Sequence, residues 1–210
     1  MLAGMSWFSR LFRRPAAQPA LKLEDLRAEW IIVGLGNPGD RYAATRHNVG
    51  FMALDDLLAA GGDVWLPVRE VKADAALLTI ADQAVLVVRP KTFMNLSGEA
   101  VAPLAQVPAE RIIVIHDELD LPPHKVRLKQ GGNENGHNGL KSLTEHLGTR
   151  DYLRVRVGIG RPEKGMSIPD FVLGPVDAGA GLDQAIARAA EGARLIVEKG
   201  LPGAQNVIHA

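Results

Sequence analysis

The strongest constraint on this chain is a set of short, wholly apolar runs, each ending in a cluster of polar residues. Ile112-Ile113-Val114-Ile115 gives way to His116-Asp117-Glu118-Leu119-Asp120, and Trp30 to Leu35 runs into a Gly/Asn/Pro turn. Val85-Leu86-Val87-Val88 leads to Lys91-Thr92-Phe93-Met94-Asn95-Leu96-Ser97-Gly98. A strand-sized run that does not alternate with polar residues is buried on both faces, which requires layers packed above and below its sheet. None of the runs approaches the ~20 residues needed to span a bilayer.

The intervening segments supply those layers. Val49 to Ala60 places Phe51, Leu54, Leu57 and Leu58 on one helix face. Ala75 to Ile80 and Ala84 to Val88 read as strands joined by a turn at Asp82-Gln83. Ser97 opens a helix as its N-cap, with Glu99 in the first turn. A short strand follows at Val126 to Leu128, then a helix from Gly139 to Leu147, a strand from Tyr152 to Ile159 and a long helix from Ala178 to Glu198. Strands alternating with helices predict an α/β fold, a single globular domain with a twisted mixed β-sheet flanked by helices. That domain is expected over residues 30–210. Residues 1–29 are expected to form a poorly ordered extension, in which Trp7 to Arg14 is basic and amphipathic and Pro15 to Ala20 resembles a linker. The extension lacks the uninterrupted apolar stretch and cleavage site of a secretory signal.

There is no cysteine, which removes a disulfide framework, a thiolate nucleophile and cysteine-bound zinc, and agrees with a cytoplasmic location. Formal net charge is zero, yet Leu121 to Gly165 holds nine bases against four acids, +5, and leaves −5 on the remainder. A basic face on an otherwise acidic body suits a phosphate backbone.

The polar clusters sit where α/β proteins build ligand sites, at the ends of buried strands. They pool histidines, carboxylates and side-chain amides, with no serine in a nucleophile-elbow motif. That inventory favours direct attack by water. A histidine takes the proton, a carboxylate holds the imidazole in its productive tautomer, and amide N–H groups stabilise the oxyanion. Gly34-x-Gly36-x-x-Gly39, with Asp55 downstream, also fits the dinucleotide fingerprint, but Pro38 and the polar run Thr45 to Asn48 occupy positions that the packing helix needs apolar. His116, Asp117, Glu118 and His137 suggest a metal site, although adjacent strand residues alternate faces and no HExxH-like pair is present.

Taken together, the motifs resemble those of the bacterial peptidyl-tRNA hydrolase family. Gly34-Leu35-Gly36-Asn37-Pro38-Gly39 and Tyr42-Ala43-Ala44-Thr45-Arg46-His47-Asn48-Val49-Gly50 are similar to its N-terminal signature. Lys91 to Gly98, His116 to Asp120, Gly136-His137-Asn138-Gly139-Leu140, Arg156-Val157-Gly158-Ile159-Gly160 and Asp170-Phe171-Val172-Leu173-Gly174 follow in family order. The resemblance implies a cytoplasmic monomer with no obligate protein partner and no membrane association. It would cleave the ester between peptide and tRNA in peptidyl-tRNA released prematurely from ribosomes, using no metal and no cofactor.

By the same resemblance, His47 is the general base, oriented by Asp117, and Asn95 stabilises the oxyanion. Asn37 belongs to the catalytic group and Asn138 helps to bind peptide and water. Tyr42, Met94 and His137 complete the substrate-binding set, and Arg127, Lys129 and Arg156 meet tRNA phosphates. The segment from about Gly136 to Arg150 is expected to act as a mobile gate. The approach to His137, Gly131-Gly132-Asn133-Glu134-Asn135-Gly136, carries more polar side chains than the family's glycine-rich form, and Glu134 adds a negative charge near the RNA path. The rival reading is a non-catalytic RNA-binding protein on the same fold, since a fold alone does not fix an activity.

Overall fold

The computed structural model describes residues 19–210. The basic amphipathic stretch Trp7 to Arg14 lies outside the described residues. Seven strands form one mixed sheet: β1 (Trp30–Gly34), β2 (Leu66–Pro67), β3 (Ala73–Ile80), β4 (Gln83–Pro90), β5 (Ile112–Glu118), β6 (Val126–Gln130) and β7 (Leu153–Gly158), in the order β2-β3-β4-β1-β5-β7-β6. The central strands β4, β1, β5 and β7 run parallel, while β2, β3 and β6 are antiparallel to their neighbours.

Helices cover both faces, as the unalternating runs require. One face packs against α1 (Val49–Gly61) and α5 (Ala180–Ile208), whose buried positions Ala185, Ile186, Ala189, Ala190, Ala193, Ile196 and Val197 recur at helical spacing. The other packs against α2 (Ser97–Val101) and α3 (Asn138–Leu147), where Val33, Val88, Val114, Leu140, Leu143 and Tyr152 form the core. A short helix, α4 (Ile168–Val172), precedes α5.

Several elements differ from their sequence expectation. The central strand continues through His116, Asp117 and Glu118, all buried, because each of these polar side chains finds a partner near the strand end. Ser97 is the first residue of α2 and not its cap, and its hydroxyl donates to the Met94 carbonyl at 2.8 Å. The last helix reaches Ile208, crossing a break at Gly200 whose φ of 69° tolerates the following Pro202. Residues 19–29 do not stand apart from the domain. Leu21 exchanges backbone hydrogen bonds with Pro67 and Arg69, Glu29 bonds Ala84, and Leu26 is buried.

The outer edge of the sheet, β6, is closed by side chains of the last helix and its C-terminal cap residue. Leu128 donates its backbone N–H to His209 Nε2 at 2.9 Å and accepts from Gln205 Nε2 at 3.0 Å. The chain returns from β4 to β5 across β1, so the polar segments after these three strands gather at a topological switch point.

Candidate active site

A backbone contact sets the position of the first histidine. Gly50, in the first turn of α1, sits so close to the strand ends that a Cβ there would lie 2.5 Å from the carbonyl oxygens of both Leu35 and Ile115. Helix α1 therefore starts directly against β1 and β5, and the 3-10 turn before it, Arg46–Asn48, delivers His47 to the end of β5. There His47 Nδ1 meets Asp117 Oδ1 at 2.8 Å, with both residues buried.

Asp117 serves a second histidine. His137 Nε2 lies 2.9 Å from the same Oδ1, and its Nδ1 accepts from the backbone N–H groups of Gly139 and Leu140, capping α3. Burial opposes ionisation of Asp117, but the positive N–H ends of His137 and His47, electrostatically and as hydrogen bonds, hold its carboxyl well below the usual carboxylate range. The carboxylate is thus the acceptor of both bonds, and Nε2 is the free ring nitrogen of His47. His116 lies beside them, its ring 5.2 Å from that of His137. Burial first, then His137, push its pKa well below the ordinary histidine value. It is neutral, donates from Nδ1 to the Asp117 carbonyl at 2.7 Å, and buries Nε2 without a partner.

These groups line a cavity of about 490 Å³. Its walls include Asn37, Met94, Asn95 and Asn138, with Ile168, Pro169, Val172 and Leu173 supplying an apolar side. Asn37 is held rigidly. Its backbone exchanges two 2.9 Å bonds with the Asn48 side chain, and its Oδ1 accepts from Met94 N–H at 2.8 Å. That acceptor bond orients the amide so that its NH₂ group is the one left over among the described residues. Asn95 and Asn138 are exposed residues of the cavity lining. Tyr42 stands outside the cavity lining, edge-on to the exposed Phe93 with ring centroids 6.4 Å apart and Arg41 over its face. His47, Asp117 and His137 also offer three ligand-type atoms within 4.8 Å of one another, but a cation there would have to displace both imidazole protons.

The basic residues separate into two groups. Arg127 and Lys129 on β6 lie opposite Arg156 and Arg154 on β7. Burial, followed by the charges of Arg156 and Arg154, lowers the Lys129 pKa from its ordinary value, a penalty that a bound anion would relieve. Arg154 itself is buried, and its guanidinium holds the carbonyls of Gly132 and Asn133 at 2.6 and 2.8 Å. Arg150 pairs with Glu134 at 2.7 Å, and Arg161 with Asp120. These three bases leave the phosphate-facing tally that sequence alone suggested. Glu134 points inward to Arg150, its side chain 11% exposed, and its charge is therefore neutralised.

Sequence reasoning missed Asn48, His116, Ser142 and Arg154. Asn48 braces Asn37, Ser142 accepts from Gly98 N–H at 2.9 Å to join α3 to α2, and Arg154 pins the turn that leads to His137. Asn48 and His116 lay inside motifs already singled out. Nothing in the local pattern marks Ser142 or separates Arg154 from the exposed bases.

Residues 31–210 match the peptidyl-tRNA hydrolase family. Peptidyl-tRNA hydrolase 2 of Corynebacterium glutamicum is 54% identical, over 100% of both chains. The peptidyl-tRNA hydrolase of Mycobacteroides abscessus is 48% identical over 86% of this chain and 94% of its own. Among solved structures, the peptidyl-tRNA hydrolase of Acinetobacter baumannii superposes with a TM-score of 0.80 at 36% identity, covering 88% of this chain and 97% of that one.

Proposed function

Given that the chain belongs to the peptidyl-tRNA hydrolase family, we propose that it hydrolyses the ester joining peptide to tRNA in peptidyl-tRNA released prematurely from ribosomes, with water as the nucleophile. The observation that carries this reading is the buried His47–Asp117 pair at a cavity whose lining includes Asn37, Asn95 and Asn138. Asp117 fixes the tautomer in which Nε2 accepts a proton from water, and it stabilises the imidazolium that results. The hydroxide attacks the ester carbonyl, Asn95 donates to the oxyanion, and the terminal ribose hydroxyl departs. The uncommitted NH₂ of Asn37 and the amide of Asn138 hold water and peptide backbone, contacts that any peptide sequence can make.

The apolar lining of Val172, Leu173 and Met94 takes peptide side chains. Arg127, Lys129 and Arg156 meet the acceptor-stem phosphates. Such contacts position the RNA without reading its sequence. Tyr42 lies near the ester end of the substrate, and the segment after Gly136 gates the cavity. The protein acts as a cytoplasmic monomer; no helix among the described residues is long and apolar enough to cross a membrane.

The test is release of labelled peptide from N-blocked aminoacyl-tRNA by wild type and by His47→Ala, in the presence of EDTA. Rapid release by wild type and a loss of at least ~10²-fold in the folded variant support the scheme. Tight tRNA binding without cleavage would turn the reading to a non-catalytic RNA-binding protein, and equal activity of the two proteins would mean that another residue is the base.

A further inference from the structure

The three hydrogen bonds of His137 fix where its proton is. Nδ1 accepts from Gly139 N–H at 3.1 Å and from Leu140 N–H at 3.3 Å, so it carries no hydrogen. The single proton of the neutral ring is therefore on Nε2, pointing at Asp117 Oδ1 2.9 Å away. Protonating the ring would set an Nδ1–H against two backbone N–H groups and uncap α3. The same carboxylate oxygen receives Nδ1–H of His47 at 2.8 Å. An oxygen that already accepts one N–H attracts a second less strongly, so the donation from His137 weakens the pull of Asp117 on His47.

We infer that His137 is a positioning residue that sets the basicity of His47 through the shared Oδ1 of Asp117, and that the folded start of α3 locks it in the neutral form that does so. This rests on the reading of His47 as the general base. The titratable groups facing the cavity are His47, His116, Asp117, Glu118, Glu134 and His137. His116 is neutral, Glu118 is turned to Asp120 N–H and Arg156, and Glu134 to Arg150, which leaves the Asp117 oxygen as the coupling element. Any movement of the 131–138 segment that withdraws His137 from Asp117 strengthens the base, so base strength is tied to the position of that segment.

The discriminating variant is His137→Asn. Asparagine is a good N-cap, but its side chain is too short to reach Asp117 while capping. Two measurements on the full chain are required: kcat/KM for peptide release across pH 5–9, and the imidazole ¹⁵N shifts. In wild type, His137 shows the ¹⁵N shifts of a ring protonated on Nε2 and bare on Nδ1. In the variant, the ratio of its kcat/KM to that of wild type falls about tenfold between pH 8 and pH 5.5, whatever its height at pH 8, as expected for losing one charge-assisted hydrogen bond. pH profiles of the same shape, whatever their height, overturn the inference. So does a folded variant inactive at every pH, which would make His137 a substrate contact, and so does protonation of Nδ1 in wild type near neutrality. If wild type released no peptide, the functional reading would fall on its own. The coupling would still be decided by whether the ¹⁵N titration of His47 moves to higher pH in the variant. Should the variant not fold, the wild-type ¹⁵N titration of His137 decides.

Discussion

Substituting Asp117 by asparagine separates the geometry of the site from its charge. Both histidine N–H groups converge on one oxygen, Oδ1, at 2.8 and 2.9 Å. An amide with its oxygen in that place still accepts both, so the tautomer of His47 and the cap on α3 survive. What disappears is the negative charge that faces the imidazolium once His47 has taken the proton. A hydrogen bond to a charged group contributes ~1.5–3 kcal/mol against about 1 for a neutral one, a difference of ~1–2 kcal/mol. Treated instead as two charges ~4 Å apart at an effective dielectric of ~20, the loss is bounded near 4 kcal/mol. At ~1.4 kcal/mol per tenfold, Asp117→Asn is expected to slow kcat by about 5- to 30-fold, with ~10³-fold as the ceiling. Asp117→Ala, which removes the acceptor altogether, falls further. The assay is single-turnover peptide release at pH 7.5, with folding verified by near-UV circular dichroism. An asparagine variant as inactive as the alanine one would refute the argument, since the amide would then have inverted the tautomer. One with wild-type activity would remove the charge of Asp117 from the mechanism.

Other consequences follow from the same geometry. Arg127→Ala is expected to raise KM and reduce the slope of log KM against log salt by about one, with kcat nearly unchanged; a lower kcat at saturating substrate would disprove the phosphate assignment. His116 is neutral when folded but takes a proton when unfolded, so its contribution to stability is present above the unfolded value of ~6.5 and is lost as pH falls below it. Urea titrations should show the wild type losing up to ~1.4 kcal/mol per pH unit more than His116→Asn between pH 6 and 5, and parallel losses would refute this. Gly50→Ala forces a Cβ against two backbone carbonyls that cannot turn aside. It should destabilise by ~3 kcal/mol or more in denaturant titration and reduce activity even where folded, because it moves the turn that carries His47.

Much of the fold is written in local pattern. The runs at Ile112 to Ile115 and Val85 to Val88 state their own burial, and the face of Phe51, Leu54, Leu57 and Leu58 marks α1. Legibility fails where long-range partners decide. His116 to Glu118 read as the start of a loop because, without knowledge of their hydrogen-bond partners, three polar residues cannot be assigned to a buried strand. The helix expected to end at Glu198 resumes beyond Gly200 and Pro202 because Ala204 and Ile208 are buried in the core. At the site, the pairing of His47 with Asp117 could be expected from motif resemblance. The second bond to Asp117 could not, since it depends on the start of α3 coming to the end of β5. Likewise, no property of Arg154 in the sequence distinguishes a buried clamp on loop carbonyls from a base exposed to RNA.

The closure of β6 by His209 and Gln205 also makes the edge of the sheet sensitive to protonation. A strand edge sealed by another strand stays shut across a wide range of conditions, whereas this one depends on a titratable latch. His209 accepts the Leu128 N–H only while its Nε2 is unprotonated, and burial, followed by the charges of Arg127, Arg156, Lys125 and Arg188, favours that state. The crowding of cations that suits an RNA-facing surface thus keeps the latch fastened at neutral pH. Protonation of Nε2 in acid removes the acceptor of the Leu128 N–H, while Gln205 keeps its bond to the Leu128 carbonyl. The seal on the strand edge and the cationic surface beside it are in this way tied to the same few residues.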